Sequence, residues 1–65
     1  MSFGVKPSAA ISSRVRALVR ELGVSAAAEK LGIGREAASR IAAGFGVRRG
    51  TLALAAQKLA ETPSA

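Results

Sequence analysis

The sequence predicts an all-α fold, a compact bundle of about four short helices. Apolar residues recur along the chain at the three- and four-residue spacing of amphipathic helices. Glycines interrupt these periodic segments where helices are expected to end. There is no alternation of apolar and polar residues typical of a strand, and no internal repeat. The 65 residues therefore predict one small domain.

The first helix is expected to begin between Ser8 and Ser13 and to end at Leu22, with Gly23 as its C-cap. Its apolar residues share one helical face, and they are Ile11, Val15, Leu18, Val19 and Leu22. Ser25 is expected to cap a second helix that closes at Gly32.

A third helix is predicted from Arg35 to about Ala43, ending at Gly44, and a loop covers residues 45–50. Thr51 is expected to cap a fourth helix that reaches about Glu61, since Pro63 forbids its continuation. On this fourth helix one face carries Leu52, Ala55, Ala56 and Leu59.

Three regions follow from this division of the chain. Residues 1–7 are expected to form a flexible N-terminal arm, with fraying favoured over docking of Phe3 and Val5. Residues 8–61 form the helical domain, and residues 62–65 a frayed C-terminus.

The second and third helices, with the turn between them, have the spacing of a helix-turn-helix. Two short helices that cross steeply need small residues at their contact, a glycine at the sharp turn and an aliphatic residue inside it. The residues that meet these needs are Ala27, Ala28, Gly32, Ile33, Ala38 and Ile41. This segment resembles the helix-turn-helix of phage repressors and of many small bacterial and plasmid regulators. The resemblance implies a DNA-binding unit whose second helix enters the major groove.

The chain departs from that family pattern at two points. Gly34 opens the third helix where the family often has Ser or Thr, and glycine is the weaker cap. The third helix also contains no Asn or Gln, so it lacks the side chains that form the bidentate adenine contact.

Composition narrows the function classes further. The chain contains no Cys, His, Asp, Tyr or Trp, and its only side-chain carboxylates belong to four Glu. These residues do not supply a catalytic triad or a thiolate metal site, so we expect a protein that is not an enzyme and that needs no cofactor, metal or small-molecule ligand.

The net charge of +6 favours an anionic partner, above all nucleic acid. Because no apolar run spans a bilayer and no secretory leader is apparent, we expect a bacterial cytoplasmic, nucleoid-associated protein rather than a membrane protein.

A helical wheel separates the faces of the third helix. Ala37, Ala38, Ile41 and Ala42 are expected to face the core. The opposite arc predicts the DNA base-reading residues, which are Arg35, Glu36, Ser39, Arg40 and Ala43. Arg35 or Arg40 could form a bidentate contact with guanine O6 and N7, and Ala43 could contact a thymine methyl group. Glu36 either accepts a hydrogen bond from cytosine N4 or forms an ion pair with Arg40.

A second group of side chains is expected to hold the phosphate backbone. Arg48, Arg49 and Thr51 follow the third helix, and Ser25 opens the second. Weaker candidates are Lys6 on the arm and three arginines of the first helix, Arg14, Arg16 and Arg20.

One such module contacts only half a site, so a homodimer on a pseudopalindromic operator is expected. Leu54 and Lys58 lie off the apolar face of the fourth helix and predict the dimer interface. The favoured function is sequence-specific binding of double-stranded DNA by a homodimeric transcriptional repressor. A sequence-tolerant architectural DNA binder, a protein-interaction adaptor and a basic membrane-surface binder are the alternatives.

Overall fold

The computed structural model describes residues 4–61, and these fold into four α-helices. Helix α1 covers Ala9–Leu22, α2 Val24–Leu31, α3 Arg35–Ala43 and α4 Arg49–Glu61. No strand occurs among residues 4–61, where the β-type pairing is one isolated bridge. The predicted all-α architecture with four helices is confirmed. Within this range no helix combines the length and the apolar character needed to cross a membrane.

The core lies where α1 crosses α2 and α3, and α4 packs against α2. Val15, Leu31 and Ile41 are its largest fully buried side chains, one from each of the first three helices. Val47, Ala55 and Leu59 complete the cluster from the following loop and α4. The predicted apolar face of α4 is confirmed, because Ala55 and Leu59 are buried and Leu52 and Ala56 half-buried.

Helix α1 begins and ends where the sequence predicts. The Ser8 side chain accepts a hydrogen bond from the Ile11 N–H at 3.2 Å, which satisfies one free donor of the first turn. Gly23 ends the helix at φ 87°. The apolar face is covered over most of its length, but Leu22 remains 42% exposed at the last position.

The prediction that Ser25 caps α2 is wrong. The helix begins one residue earlier, at Val24, with Gly23 as the N-cap and no side-chain capping bond. Gly23 both ends α1 and begins α2, and the first helical bond of α2 runs from the Ala27 N–H to the Gly23 carbonyl at 3.0 Å. The physical reason is the positive φ of Gly23, which reverses the chain at once and places Ser25 inside the first turn, on the surface.

The turn between α2 and α3 is closed by its own backbone. Gly32 adopts a left-handed conformation, φ 70° and ψ 28°. Its N–H donates to the Glu29 carbonyl at 3.1 Å, and the Ile33 N–H donates to the Ala28 carbonyl at 3.0 Å. This pair of bonds is the Schellman motif, and it fixes the direction in which α3 leaves the turn.

The prediction that Thr51 caps α4 is also wrong. The helix begins at Arg49, and the Leu52 N–H donates to the Arg48 carbonyl at 2.9 Å. Val47 is buried and paired, so the chain turns into the helix directly after it. Arg49 therefore belongs to the helix, and Thr51 lies half-buried in its first turn.

The described part of the segment expected to be an arm lies against the loop after α3. The Val5 N–H donates to the Val47 carbonyl at 2.7 Å, and the Val47 N–H donates to the Val5 carbonyl at 3.1 Å. Gly4 and Gly46 cross so closely that a Cβ on either would lie 3.1 Å from the Cα of the other. At Val5 the chain is thus docked, where we expected fraying. Residues 1–3, with Phe3, and the predicted frayed end at 62–65 lie outside the described residues.

Candidate functional site

Helix α3 divides into a buried and an exposed face along the predicted line. Ala38 and Ile41 are fully buried, and Ala37 and Ala42 are half-buried. The exposed face carries all five predicted base-reading residues, Arg35, Glu36, Ser39, Arg40 and Ala43. Their predicted exposure is confirmed, while their role in binding stays a prediction.

The C-terminal end of α3 is held by two side chains of α1. The Ser12 hydroxyl donates to the Ile41 carbonyl at 2.6 Å, a bond that is buried. Arg16 donates from Nε to the Ala42 carbonyl at 3.1 Å. The last carbonyls of a helix lack intrahelical partners and carry partial negative charge, so a hydroxyl and a guanidinium both suit this end. Arg16, a weak DNA candidate in the sequence, thus holds α3 on α1.

The N-terminal end of α3 is left without a side-chain cap. Gly34 is extended, φ −73° and ψ 157°, and makes no side-chain capping bond. The Ala38 N–H donates to its carbonyl at 3.0 Å, which begins the helix. Glu36 in the first turn suits the positive end of the helix dipole.

A groove runs between α3 and the segment that follows it. Glu36, Ala37 and Arg40 form one wall. The other residues that line it are Gly4, Gly34, Gly46, Val47, Arg48 and Thr51. The structure therefore brings Arg40, a predicted base reader, to the same groove as Arg48 and Thr51, which were predicted to hold phosphate.

Two further grooves flank the exposed face of α3. One is lined by Glu36, Ser39, Arg40, Ala43 and Phe45. The other lies toward the start of α2 and is lined by Val24, Gly34, Arg35, Glu36 and Ser39. The exposed face of α3 thus forms a ridge with depressions on both sides, and Glu36 lines all three grooves.

Two predicted phosphate-binding residues stand apart from these grooves. Ser25 is exposed next to Val24, and Arg49 is exposed in the first turn of α4. Neither lines any of the three grooves described above.

The pairing of Glu36 with Arg40, one of the two alternatives for this glutamate, is not formed. No hydrogen bond or salt bridge joins these side chains within residues 4–61. Both therefore present their charges to the surface of α3.

The predicted interface residues of α4 lie beside the α2–α3 turn. Leu54 is 37% exposed, and Lys58 approaches Glu61 with Nζ 3.9 Å from Oε1. A Cβ placed on Gly32 would lie 3.7 Å from Leu54 Cδ2 and 3.9 Å from Lys58 Cε. These side chains cover the turn on one side and face outward on the other.

Phe45 was not selected from the sequence, yet it is 61% exposed next to the predicted base-reading face. It follows Gly44, which ends α3 at φ 84°. A large apolar residue directly after a C-cap glycine was the available signal, but such residues often pack back onto their helix.

Comparisons of this chain with protein-family models, with curated proteins and with solved structures found no match. Among residues 4–61, the side chains that bind metals do not group in threes at any point.

Proposed function

We propose that the protein binds double-stranded DNA sequence-specifically, with α3 in the major groove, and acts as a homodimeric transcriptional repressor. The observation that carries the proposal is the exposed face of α3. Its Ser39 and Arg40 side chains make no hydrogen bond or ion pair within residues 4–61, although the opposite face is buried. An α-helix fits the width of the major groove, and such side chains are available to base edges.

The charge around α3 supports a polyanionic partner. Four exposed arginines lie on α3 or just after it, with Glu36 as the one carboxylate among them: Arg35, Arg40, Arg48 and Arg49. The chain as a whole carries +6. Neutralising phosphates with arginine releases condensed counterions, so affinity is expected to fall steeply with salt.

The groove between α3 and the following segment suggests separate roles in DNA binding for Arg40 and Arg48. Arg40 projects from the helix that would enter the major groove, where arginine contacts guanine O6 and N7. Arg48 lies across the same groove and directly precedes α4. The first N–H groups of a helix have no intrahelical partner and suit an anion. A position beside the inserted helix suits contact with the sugar–phosphate backbone.

Binding of the purified protein to a site enriched from random DNA, and to a random duplex, tests these roles. Arg40→Ala should cost about 1–3 kcal/mol on the enriched site and relax base preference. Arg48→Ala should weaken both duplexes and lower the log-affinity against log-salt slope by about 0.9. Lys30→Ala, which removes an exposed positive charge of α2 that lines none of the three grooves, is the control.

Other outcomes identify the alternatives. Equal binding of enriched and random duplexes by the wild type would favour an architectural DNA binder. No salt-sensitive DNA binding at all would favour a protein-interaction adaptor. Equal losses on every sequence for Arg40→Ala and Arg48→Ala would remove Arg40 from base recognition.

The homodimer is proposed to form through α4, around Leu54 and Lys58. Leu54 is a large apolar residue exposed outside the core face, and a two-fold axis would bring two copies of it together. Leu54→Glu should give a monomer and reduce affinity for a two-half-site duplex more than for one half-site, because linked modules bind at high effective concentration. Sedimentation equilibrium checks this, with Ala53→Glu on the exposed surface of α4 as the control. A monomeric wild type, or a dimeric Leu54→Glu variant, would place the interface elsewhere.

A further inference from the structure

We infer that Phe45, together with Ala43, forms a contact site for the 5-methyl group of thymine at the C-terminal end of α3. The inference rests on the proposed DNA binding and assigns part of the base preference to a residue outside the helix. Four observations support it: the exposure of Phe45, its fixed backbone, the side chains beside it and the absence of Asn and Gln from α3.

The exposure of Phe45 is unusual for its residue type. The side chain is 61% exposed, more than the other exposed large hydrophobics of the described chain, Val5, Leu22 and Leu54. A phenyl ring has a large apolar area whose burial is favourable, so aromatic side chains concentrate in cores and at interfaces. The core of this domain is assembled without this ring. Exposure of this kind is expected where a partner covers the ring.

The position of Phe45 is set by the backbone. Its N–H donates to the Arg40 carbonyl at 2.8 Å, and the Gly44 N–H donates to the Ile41 carbonyl at 3.0 Å. These bonds form a second Schellman motif, which fixes the chain directly after α3. A ring carried on a backbone held in this way costs less conformational entropy on binding than one on a mobile loop.

The neighbours of Phe45 favour a nucleic-acid partner over an apolar one. It lines the same groove as Ala43, Ser39, Arg40 and Glu36. Two apolar side chains thus lie beside a guanidinium, a hydroxyl and a carboxylate, on a chain of charge +6. The major groove offers this combination, because it presents polar base edges with one apolar group, the thymine methyl.

The absence of Asn and Gln from α3 also favours recognition of thymine. The helix contains neither Asn nor Gln, the side chains that form bidentate bonds with adenine. An A·T pair is then best recognised through its thymine, whose methyl group accepts apolar contact from alanine or phenylalanine. Ala43 and Phe45, two positions apart at the end of α3, line the same groove and would supply that contact.

Replacing thymidine by deoxyuridine tests the inference, because uracil differs from thymine only in lacking the 5-methyl group. Each thymine of the enriched duplex is replaced in turn, and affinity is measured for the wild type and for Phe45→Ala. One replacement should weaken the wild type about fourfold, the effect of one buried methyl-sized group. The same replacement should leave Phe45→Ala nearly unchanged, and Phe45→Leu should keep the wild-type response. Leu22→Ala, which shortens another exposed apolar side chain outside the three grooves, should respond as the wild type does.

The outcomes separate the two proposals. Specific binding by the wild type with equal responses to uracil in wild type and Phe45→Ala would overturn the thymine site and leave DNA binding intact. An enriched site without a preferred A·T pair would do the same. Failure of the wild type to prefer any duplex would overturn the proposed function, and the thymine site with it. If Phe45→Ala fails to fold, Phe45→Ser takes its place, because a small polar side chain suits this exposed position and makes no apolar contact. Loss of the uracil response in Phe45→Ser supports the site, and a fourfold response in that variant contradicts it.

Discussion

The two faces of α3 belong to one nine-residue helix but differ in what holds them. On the inner face Ile41 is fully buried, and its carbonyl receives a 2.6 Å hydrogen bond from Ser12. On the outer face the side chains of Ser39 and Arg40 form no hydrogen bond or ion pair within residues 4–61. The inner face is therefore needed for folding, and the outer face is free to be selected for binding. Stability and affinity should respond to different substitutions on the same helix.

Ile41 and Arg40 are neighbours in sequence on opposite faces, so they give the sharpest form of this comparison. Ile41→Ala removes a fully buried side chain and should lower the free energy of unfolding by about 2–5 kcal/mol. Arg40→Ala should change it by no more than about 0.5 kcal/mol, because surface substitutions away from structural contacts are nearly neutral. Urea titration followed by circular dichroism measures both. Similar losses for the two variants would contradict the division of α3 into a structural and a binding face.

The helices of this domain were predictable because they depend on local features. Apolar spacing placed the inner faces, and the positive φ of Gly23, Gly32 and Gly44 marks where the first three helices end. The predictions that Ser25 and Thr51 cap α2 and α4 were wrong because the backbone before each residue already begins the helix. Ser25 and Thr51 have capping side chains, but the backbone at Gly23 and the pairing of Val47 start each helix earlier.

The candidate site was predictable only in part. A helical wheel is enough to expose Arg40 and bury Ile41, since both depend on the position within one helix. Arg16 depends on a contact with a distant segment, and Phe45 depends on the direction that the chain takes after α3. Helical periodicity encodes neither of these features. Arg16 bonds a residue 26 positions away, and the exposure of Phe45 follows from the path of the chain after Gly44.

A smaller effect is expected where α2 meets α3. Ala28 is 2% exposed, so a longer side chain there must separate the helices that it joins. Ala28→Leu should therefore destabilise the domain by about 1–3 kcal/mol through overpacking. Ala26→Leu is the matched control, because Ala26 is exposed on the same helix and has room for the larger residue. Thermal unfolding of the two variants checks the claim, and equal midpoints would mean that α2 and α3 do not pack tightly at this position.

The smallest expected effect isolates the hydrogen bond that holds the inner face of α3 in place. Ser12→Ala removes the donor to the Ile41 carbonyl, but that carbonyl keeps a bond from the Gly44 N–H at 3.0 Å, so it is not left unsatisfied. The net cost of one such bond is about 1 kcal/mol, and it is opposed by the better helix propensity of alanine, about 0.5 kcal/mol.

Ser13→Ala serves as the reference for Ser12→Ala, since Ser13 is exposed at the next position of α1 and gains the propensity without losing a bond to α3. Ser13→Ala should be neutral or slightly stabilising, and Ser12→Ala should be less stable than it by about 1 kcal/mol. The difference in urea midpoint between the two variants measures the bond directly. If the two variants unfold together, the Ser12 bond adds nothing to stability, and α3 is positioned by apolar packing and by Arg16 instead.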